Sequence, residues 1–200
     1  MHPLPPVTKA LMLACIGFFC LGILAPDIKG WLALWPLQSG YFMPWQLLTY
    51  ALMHGDFGHL FFNMLGLYMF GAQVEQYLGQ RRYGLLVAVS VLTAALVQLV
   101  VTFATQSLWP TVGISGGVFG LLLVMGLVFG EQVVMPLIPP IPMKMKVLVT
   151  LYGGIELLLG VTGRTGVAHF AHLGGMLGAY LLMLYWRRPN KRPPHLRRVH

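Results

Sequence analysis

Six stretches of this 200-residue chain are long and apolar: about 7–25, 58–78, 83–105, 115–130, 145–161 and 167–186. Hydrocarbon offers no partner to an exposed peptide group, so a segment crossing a bilayer must satisfy its own backbone. A helix of about 20 apolar residues does so. The expected fold class is therefore all-α: a polytopic membrane bundle of six transmembrane helices, with a long outer loop between the first and second. Only 9% of the residues are charged, against about a quarter in a water-soluble domain, which excludes an ordinary soluble fold. One membrane domain is expected over 1–200, ending in a basic, disordered cytoplasmic tail, 187–200, suited to anionic lipid headgroups. A cleaved signal peptide is disfavoured for the first run, because "GILAPD" lacks small residues at both cleavage-site positions.

The formal charge of +8 does not point to nucleic acid, because the lysines and arginines gather at segment ends, as they do when they orient a protein in a bilayer. With the N-terminus inside, the inner side holds Lys9, Arg81, Arg82, Lys144, Lys146, Arg187, Arg188, Lys191, Arg192, Arg197 and Arg198, and the outer side only Lys29 and Arg164. Both termini are therefore expected in the cytoplasm. Cys15 and Cys20 share one apolar run and give neither a disulfide framework nor a metal spacing. The outer connection, 26–57, carries Trp31, Trp35, Tyr41, Phe42 and Trp45. These suit a belt of interfacial anchors or a loop embedded beside a site. "PLIPPIP" (136–142) reads as a stiff, non-helical inner linker.

Polar groups inside spans are costly, and each asks for a reason. The second span carries His59 and Asn63, four apart on one helical face, with His54 just before it; the sixth opens with His169 and His172, and the fourth with Ser115. These three spans all run from outside to inside. At about 1.5 Å per residue, Ser115, His59, Asn63 and His172 fall at comparable depth below the outer surface. Gly116 and Gly120 on the fourth span, and Gly174 with Gly178 and Gly175 with Ala179 on the sixth, have the spacing that lets membrane helices touch. That contact would carry Ser115 towards His172. Ser115 lies in "TVGISGGVFG". A serine at a helix start lies beside unpaired backbone N–H groups, and the glycines admit sharp geometry and a close substrate. A histidine in reach can take its proton and make it a nucleophile, while backbone N–H groups with His59 and Asn63 can stabilise an oxyanion. The plain alternative is an N-cap serine.

The chain resembles the rhomboid intramembrane serine proteases. The residues that carry the likeness are "GISG" (Gly113, Ser115, Gly116), the spaced His54, His59 and Asn63, "AHLGG" around His172, and "FGAQVEQYLG" with Glu75 and Gly79. It extends from the first span to the sixth. The resemblance implies an endopeptidase that cleaves single-pass membrane proteins in or near their spans with a serine–histidine dyad: Ser115 as nucleophile, His172 as base and then acid. It implies an oxyanion hole of His59, Asn63 and the Ser115 N–H, an aromatic Phe119 packed on His172, and a structural, hydrogen-bonding His54. It also implies the minimal six-helix bacterial form in the inner membrane, a site opening to the outer side, substrates drawn from the bilayer, and no cofactor, metal or nucleic acid. It names neither an individual substrate nor an oligomeric state. Many relatives carry Trp-Arg where this chain has Trp45-Gln46, which puts a structural arginine of the outer loop in question.

Glu75, Glu131 and Glu156 are read as falling away from the outer ends of the second, fourth and sixth spans, which leaves Ser115 without a carboxylate partner. His169 is read as a satisfied polar residue. Two rivals differ in kind. A catalytically inactive, client-binding relative would usually lack the serine or the histidine, and both are present. A metal or transport site would use the outer histidines, but no Cys or Asp joins them in the spans and zinc has no need of Ser115. The charge asymmetry predicts that a reporter fused after His200 stays cytoplasmic and one inserted near Gln106 is external; the reverse pattern would overturn the depth argument.

Overall fold

The computed structural model describes residues 3–137, 140–163 and 167–187. Arg164, positions 138–139 of the inner linker and residues 188–200 of the basic tail lie outside the described residues. Each of the six expected runs is helical. They are α1 (Pro6–Leu24), α4 (Phe57–Gly66) continuing through a π-helical turn (Leu67–Gly71) into α5 (Ala72–Leu78), α6 (Gln80–Thr105), α7 (Ser115–Val128), α8 (Met145–Thr162) and α9 (His169–Arg187). Short helices α2 (Asp27–Leu32) and α3 (Gln46–Thr49) lie in the first connection. Among the described residues α1, α6 and α8 are long and apolar enough to cross a membrane by themselves, and α7 is a shorter apolar helix. The architecture is an all-α membrane bundle.

The helix ends have local causes. Pro6 starts α1, where a missing N–H costs nothing. The next amides are held by a carboxylate from another helix: Glu75 accepts from the Val7 and Thr8 N–H groups at 3.0 and 2.7 Å and from the Thr8 hydroxyl at 2.7 Å. An anion at a helix N-terminus satisfies orphan donors and meets the favourable end of the helix dipole. Asp56 caps α4 by accepting from the His59 amide at 2.9 Å.

Helix α7 lies at the centre, in contact with α4, α5, α6, α8 and α9. Its 14 residues span about 21 Å, less than the roughly 30 Å of hydrocarbon. A helix this short stops within the hydrocarbon at one end at least, and irregular chain leads to its first residue. Such backbone survives at that depth only if it is paired within the protein. Leu34 and Thr111 exchange both backbone hydrogen bonds at 2.9 Å, and the Gly113 N–H donates to the Tyr50 carbonyl at 2.9 Å. The Tyr50 hydroxyl in turn donates to the Val91 carbonyl of α6 at 2.8 Å. The first connection is thus anchored against the segment that leads to Ser115, while Trp31, Tyr41 and Trp45 stay exposed.

Gln46 organises that connection. Its side chain, 1% exposed, accepts from the Trp35 and Met43 N–H groups at 3.2 and 3.1 Å and donates to the Trp31 and Tyr41 carbonyls at 3.3 and 3.1 Å. An amide offers both donors and acceptors; an arginine offers only donors. At the opposite end of the bundle, 136–137 and 140–142 are non-helical as expected. A two-residue ladder pairs Val133 with Lys144 and Val134 with Met143. Beside it Glu131 meets Lys144 at 2.7 Å and also Lys146. Hydrogen bonds from the two ammonium groups hold its carboxyl down to about 2, although a pair this exposed is screened by water and salt.

Truncation of Gln46 leaves the Trp35 and Met43 N–H groups and the Tyr41 carbonyl short of a partner, while the Trp31 carbonyl keeps the Trp45 indole N–H at 3.1 Å. Gln46→Ala is expected to lower stability by about 1–3 kcal/mol, read as a lower denaturation midpoint in detergent. Gln46→Arg, the residue of many relatives, is expected to destabilise as well, because arginine cannot accept from Trp35 and Met43. An unchanged midpoint in both variants would show that the loop is held by other contacts.

Candidate active site

The site begins with backbone. Gly113 has φ +114°, a conformation L side chains rarely adopt, and a Cβ there would stand 2.6 Å from the His59 ring. That glycine turns the chain so that Ser115 becomes the first residue of α7. Ile114, the residue before it, gives no side-chain cap. The helical ladder starts with the Val118 N–H on the Ile114 carbonyl at 3.1 Å, so the Ser115 amide precedes it.

The Ser115 side chain does not cap its helix. Its Oγ is 2.8 Å from His172 Nε2. Two glycines allow the approach: a side chain on Gly175 of α9 would overlap the Gly116 carbonyl of α7. Gly120 also faces the Gly175 carbonyl, whereas Gly174 and Gly178 face Val97 and Thr93 of α6. The expected glycine contact between the fourth and sixth spans is therefore centred on Gly175, while side chains at Gly116 and Gly120 would first meet Ala94 and Ser90 of α6. Phe119, one turn along α7, stacks on the His172 imidazole with centroids 4.3 Å apart and planes 7° from parallel.

Ser115 and His172 line a cavity of ≈ 770 Å³ together with His59, Asn63 and Phe119. Its polar end holds Gly55 and Asp56, and its walls continue through Leu65, Met69, Phe70, Leu122 and Leu148. Asn63 is buried and its Nδ2 donates to the His59 carbonyl at 3.0 Å, using one of the two amide hydrogens. His54 does not line the cavity. It is fully buried behind His59, with ring centroids 5.1 Å apart, and its Nδ1 lies 3.3 Å from the Leu52 carbonyl.

One expectation is corrected. Glu156 does not fall away from the site: its Oε2 lies 2.8 Å from His172 Nδ1 and 2.7 Å from His169 Nδ1. The sequence reading weighed the glutamates against spans that run from outside to inside, but Glu156 is on α8, which runs the other way. A residue six before the end of α8, about 9 Å along the axis, sits level with the first turns of α7 and α9. The usable signal was a carboxylate in the apolar run "GGIELLLG", since such a group in a span demands a partner. The three groups also bring their ligand atoms within 4.8 Å of one another, so an acid does join the histidines.

The network sets the hydrogens. A carboxylate only accepts, so an ionised Glu156 calls for a proton on His172 Nδ1, which would leave Nε2 bare towards the Ser115 hydroxyl. That is the tautomer a general base requires.

The chain is similar to known proteins. A family model described as the rhomboid domain matches residues 41–189. The chain is 30% identical over 192 residues to the Rhomboid protease GlpG of Yersinia pestis (strain Pestoides F), covering 92% of this chain and 64% of that protein. The same figures hold for the Rhomboid protease GlpG of Yersinia pseudotuberculosis serotype O:3 (strain YPIII). With the protein of that name from Klebsiella pneumoniae it shares 34% identity over 100 residues, 48% of this chain and 36% of the relative. The chain thus spans just under two thirds of the length of the Yersinia proteins.

Proposed function

The chain belongs to the rhomboid family, and from that premise we propose that it is an intramembrane serine endopeptidase that cleaves single-pass membrane proteins in or near their spans. The observation that carries the reading is the 2.8 Å contact between Ser115 Oγ and His172 Nε2 at the wall of a cavity. The word protease in the relatives' names supports it. The reading includes six membrane crossings in one domain, termini in the cytoplasm, a bacterial inner membrane and a site open to the outer side, for which the charge asymmetry of the sequence is the support.

In the proposed reaction His172 Nε2 takes the Ser115 proton as Oγ attacks the scissile carbonyl carbon. The carbonyl oxygen becomes an oxyanion facing the Ser115 N–H, Asn63 and His59. His172 then gives the proton to the departing amine, which breaks the peptide bond and leaves an acyl-enzyme. Water, activated by the same imidazole, releases the acid and restores Ser115. Gly113 leaves room for His59, Gly175 brings α9 to α7, Phe119 holds the plane of the imidazole, and His54 backs His59.

Purified protein is expected to label with a fluorophosphonate at Ser115 and to cut a model single-span substrate. Folded Ser115→Ala and His172→Ala are expected to lose both activities. A folded wild type that neither labels nor cuts would make the chain an inactive, client-binding relative. Asn63→Ala is expected to lower turnover by up to roughly a hundred- to thousandfold, less to the extent that the backbone donor compensates. Unchanged turnover would remove Asn63 from the oxyanion hole.

A further inference from the structure

Behind His172, on the side away from the cavity, lies the group that the serine–histidine chemistry leaves unused. Glu156 is 8% exposed, His169 7% and His172 8%. Neither Glu156 nor His169 lines the cavity. One carboxylate oxygen faces the Nδ1 atoms of both imidazoles, at 2.8 and 2.7 Å, and the two rings stand edge to face with centroids 6.3 Å apart. A carboxylate at this depth is costly unless its charge is met by donors. The two histidines are such donors, and one of them is the partner of Ser115.

We propose that Glu156 is a positioning residue that fixes the tautomer and orientation of His172, so that Ser115, His172 and Glu156 form a three-member relay, with His169 holding the carboxylate in place. The proposal rests on the protease reading and deepens it. Stacking on Phe119 fixes the plane of the imidazole but not its tautomer, because a ring face makes no distinction between Nδ1–H and Nε2–H. A hydrogen-bond acceptor at Nδ1 makes that distinction. When Ser115 Oγ bonds to the carbonyl carbon, its proton passes to Nε2, the Nδ1 proton stays where it is, and the imidazolium lies against the Glu156 carboxylate. Glu156 gains no proton and touches no substrate. His169 supplies the second hydrogen bond and leaves the carboxylate less free to rotate from its partner.

The test has two readouts. The first is read on the folded wild type, with a variant used only to identify the signals. Long-range ¹H–¹⁵N spectra of histidine-labelled protein in detergent at neutral pH, with the His172 signals identified by their loss in His172→Ala, are expected to show His172 protonated at Nδ1 and bare at Nε2. The opposite tautomer in wild type would overturn the proposal. The second is Glu156→Leu, which keeps much of the bulk but removes the acceptor that faces both imidazoles. Its kcat on a single-span substrate is expected to fall on the order of 10²- to 10⁴-fold with little change in KM, and His172 to shift towards the Nε2–H form. Glu156→Asp is expected to recover part of the rate. A folded Glu156→Leu protein with wild-type kcat and tautomer would overturn it. So would loss of wild-type activity on EDTA with recovery on added zinc, which would make the trio a metal site. If wild type shows the expected tautomer but neither labels nor cleaves, the protease reading fails while the hydrogen-bond arrangement stands.

Discussion

Gly116 and Gly175 meet without side chains between them, and the distance from Ser115 to His172 is set by how near that lets α7 and α9 come. Two apolar helices in lipid gain nothing from leaving water, so their association rests on packing and on hydrogen bonds between them. The glycines supply the packing, and the Ser115–His172 contact supplies a hydrogen bond across it. Phe119 is carried on the same helix as Ser115, so its stack against His172 follows from the same approach. The angle and separation of two helices therefore position nucleophile, base and aromatic backing together, and a larger residue at Gly175 would disturb all three.

A second constraint is the cost of irregular backbone at membrane depth. On the proposed function Ser115 sits below the surface because α7 is short, and a short α7 obliges the chain before it to descend as non-helical peptide. That descent is tolerable because the outer connection lies against it: Leu34 pairs with Thr111, and Tyr50 accepts from Gly113. The outer connection is in turn held by the Gln46 side chain. The loop that reads in sequence as an interfacial belt is thus also the hydrogen-bonding partner of the site's own backbone. Its exposed tryptophans and its buried Gln46 divide those two tasks.

Much of this was legible in the sequence because the features have strong physical signatures. Apolar runs in lipid leave the backbone little choice but helix, and the six boundaries expected from composition differ from the helices observed by only a few residues. Ser115, His59, Asn63 and His172 were legible because polar groups in apolar runs are anomalies, and helical rise turned their positions into a common depth. Glycine spacing showed that helices can touch but not which partner each glycine would meet: Gly174 and Gly178 went to α6 because small residues make surfaces fit without encoding the surface they fit. Gln46 was read as the absence of an arginine, since only the folded loop shows that the carbonyls and the N–H groups converge on one point. Glu156 was legible by the same anomaly that revealed the histidines. It was set aside because depth was measured along spans of one direction, when an antiparallel neighbour brings its other end to the same level.

The cavity joins two requirements that a protease acting in a bilayer must hold apart. Peptide hydrolysis consumes water, while a spanning substrate is apolar and comes from lipid. Gly55, Asp56, His59, Asn63, Ser115 and His172 lie towards one end of the cavity, and Leu65, Met69, Phe70 and Leu148 continue its walls. On the proposed function, water enters from the polar end and the apolar walls receive the substrate. The carboxylate is kept out of both. Glu156 lies behind the imidazole, outside the cavity lining, where one of its carboxylate oxygens faces both imidazoles. A charge that faced the apolar wall would repel the substrate, and one that faced the water would be screened. Placed behind His172, it acts on the reaction only through the base.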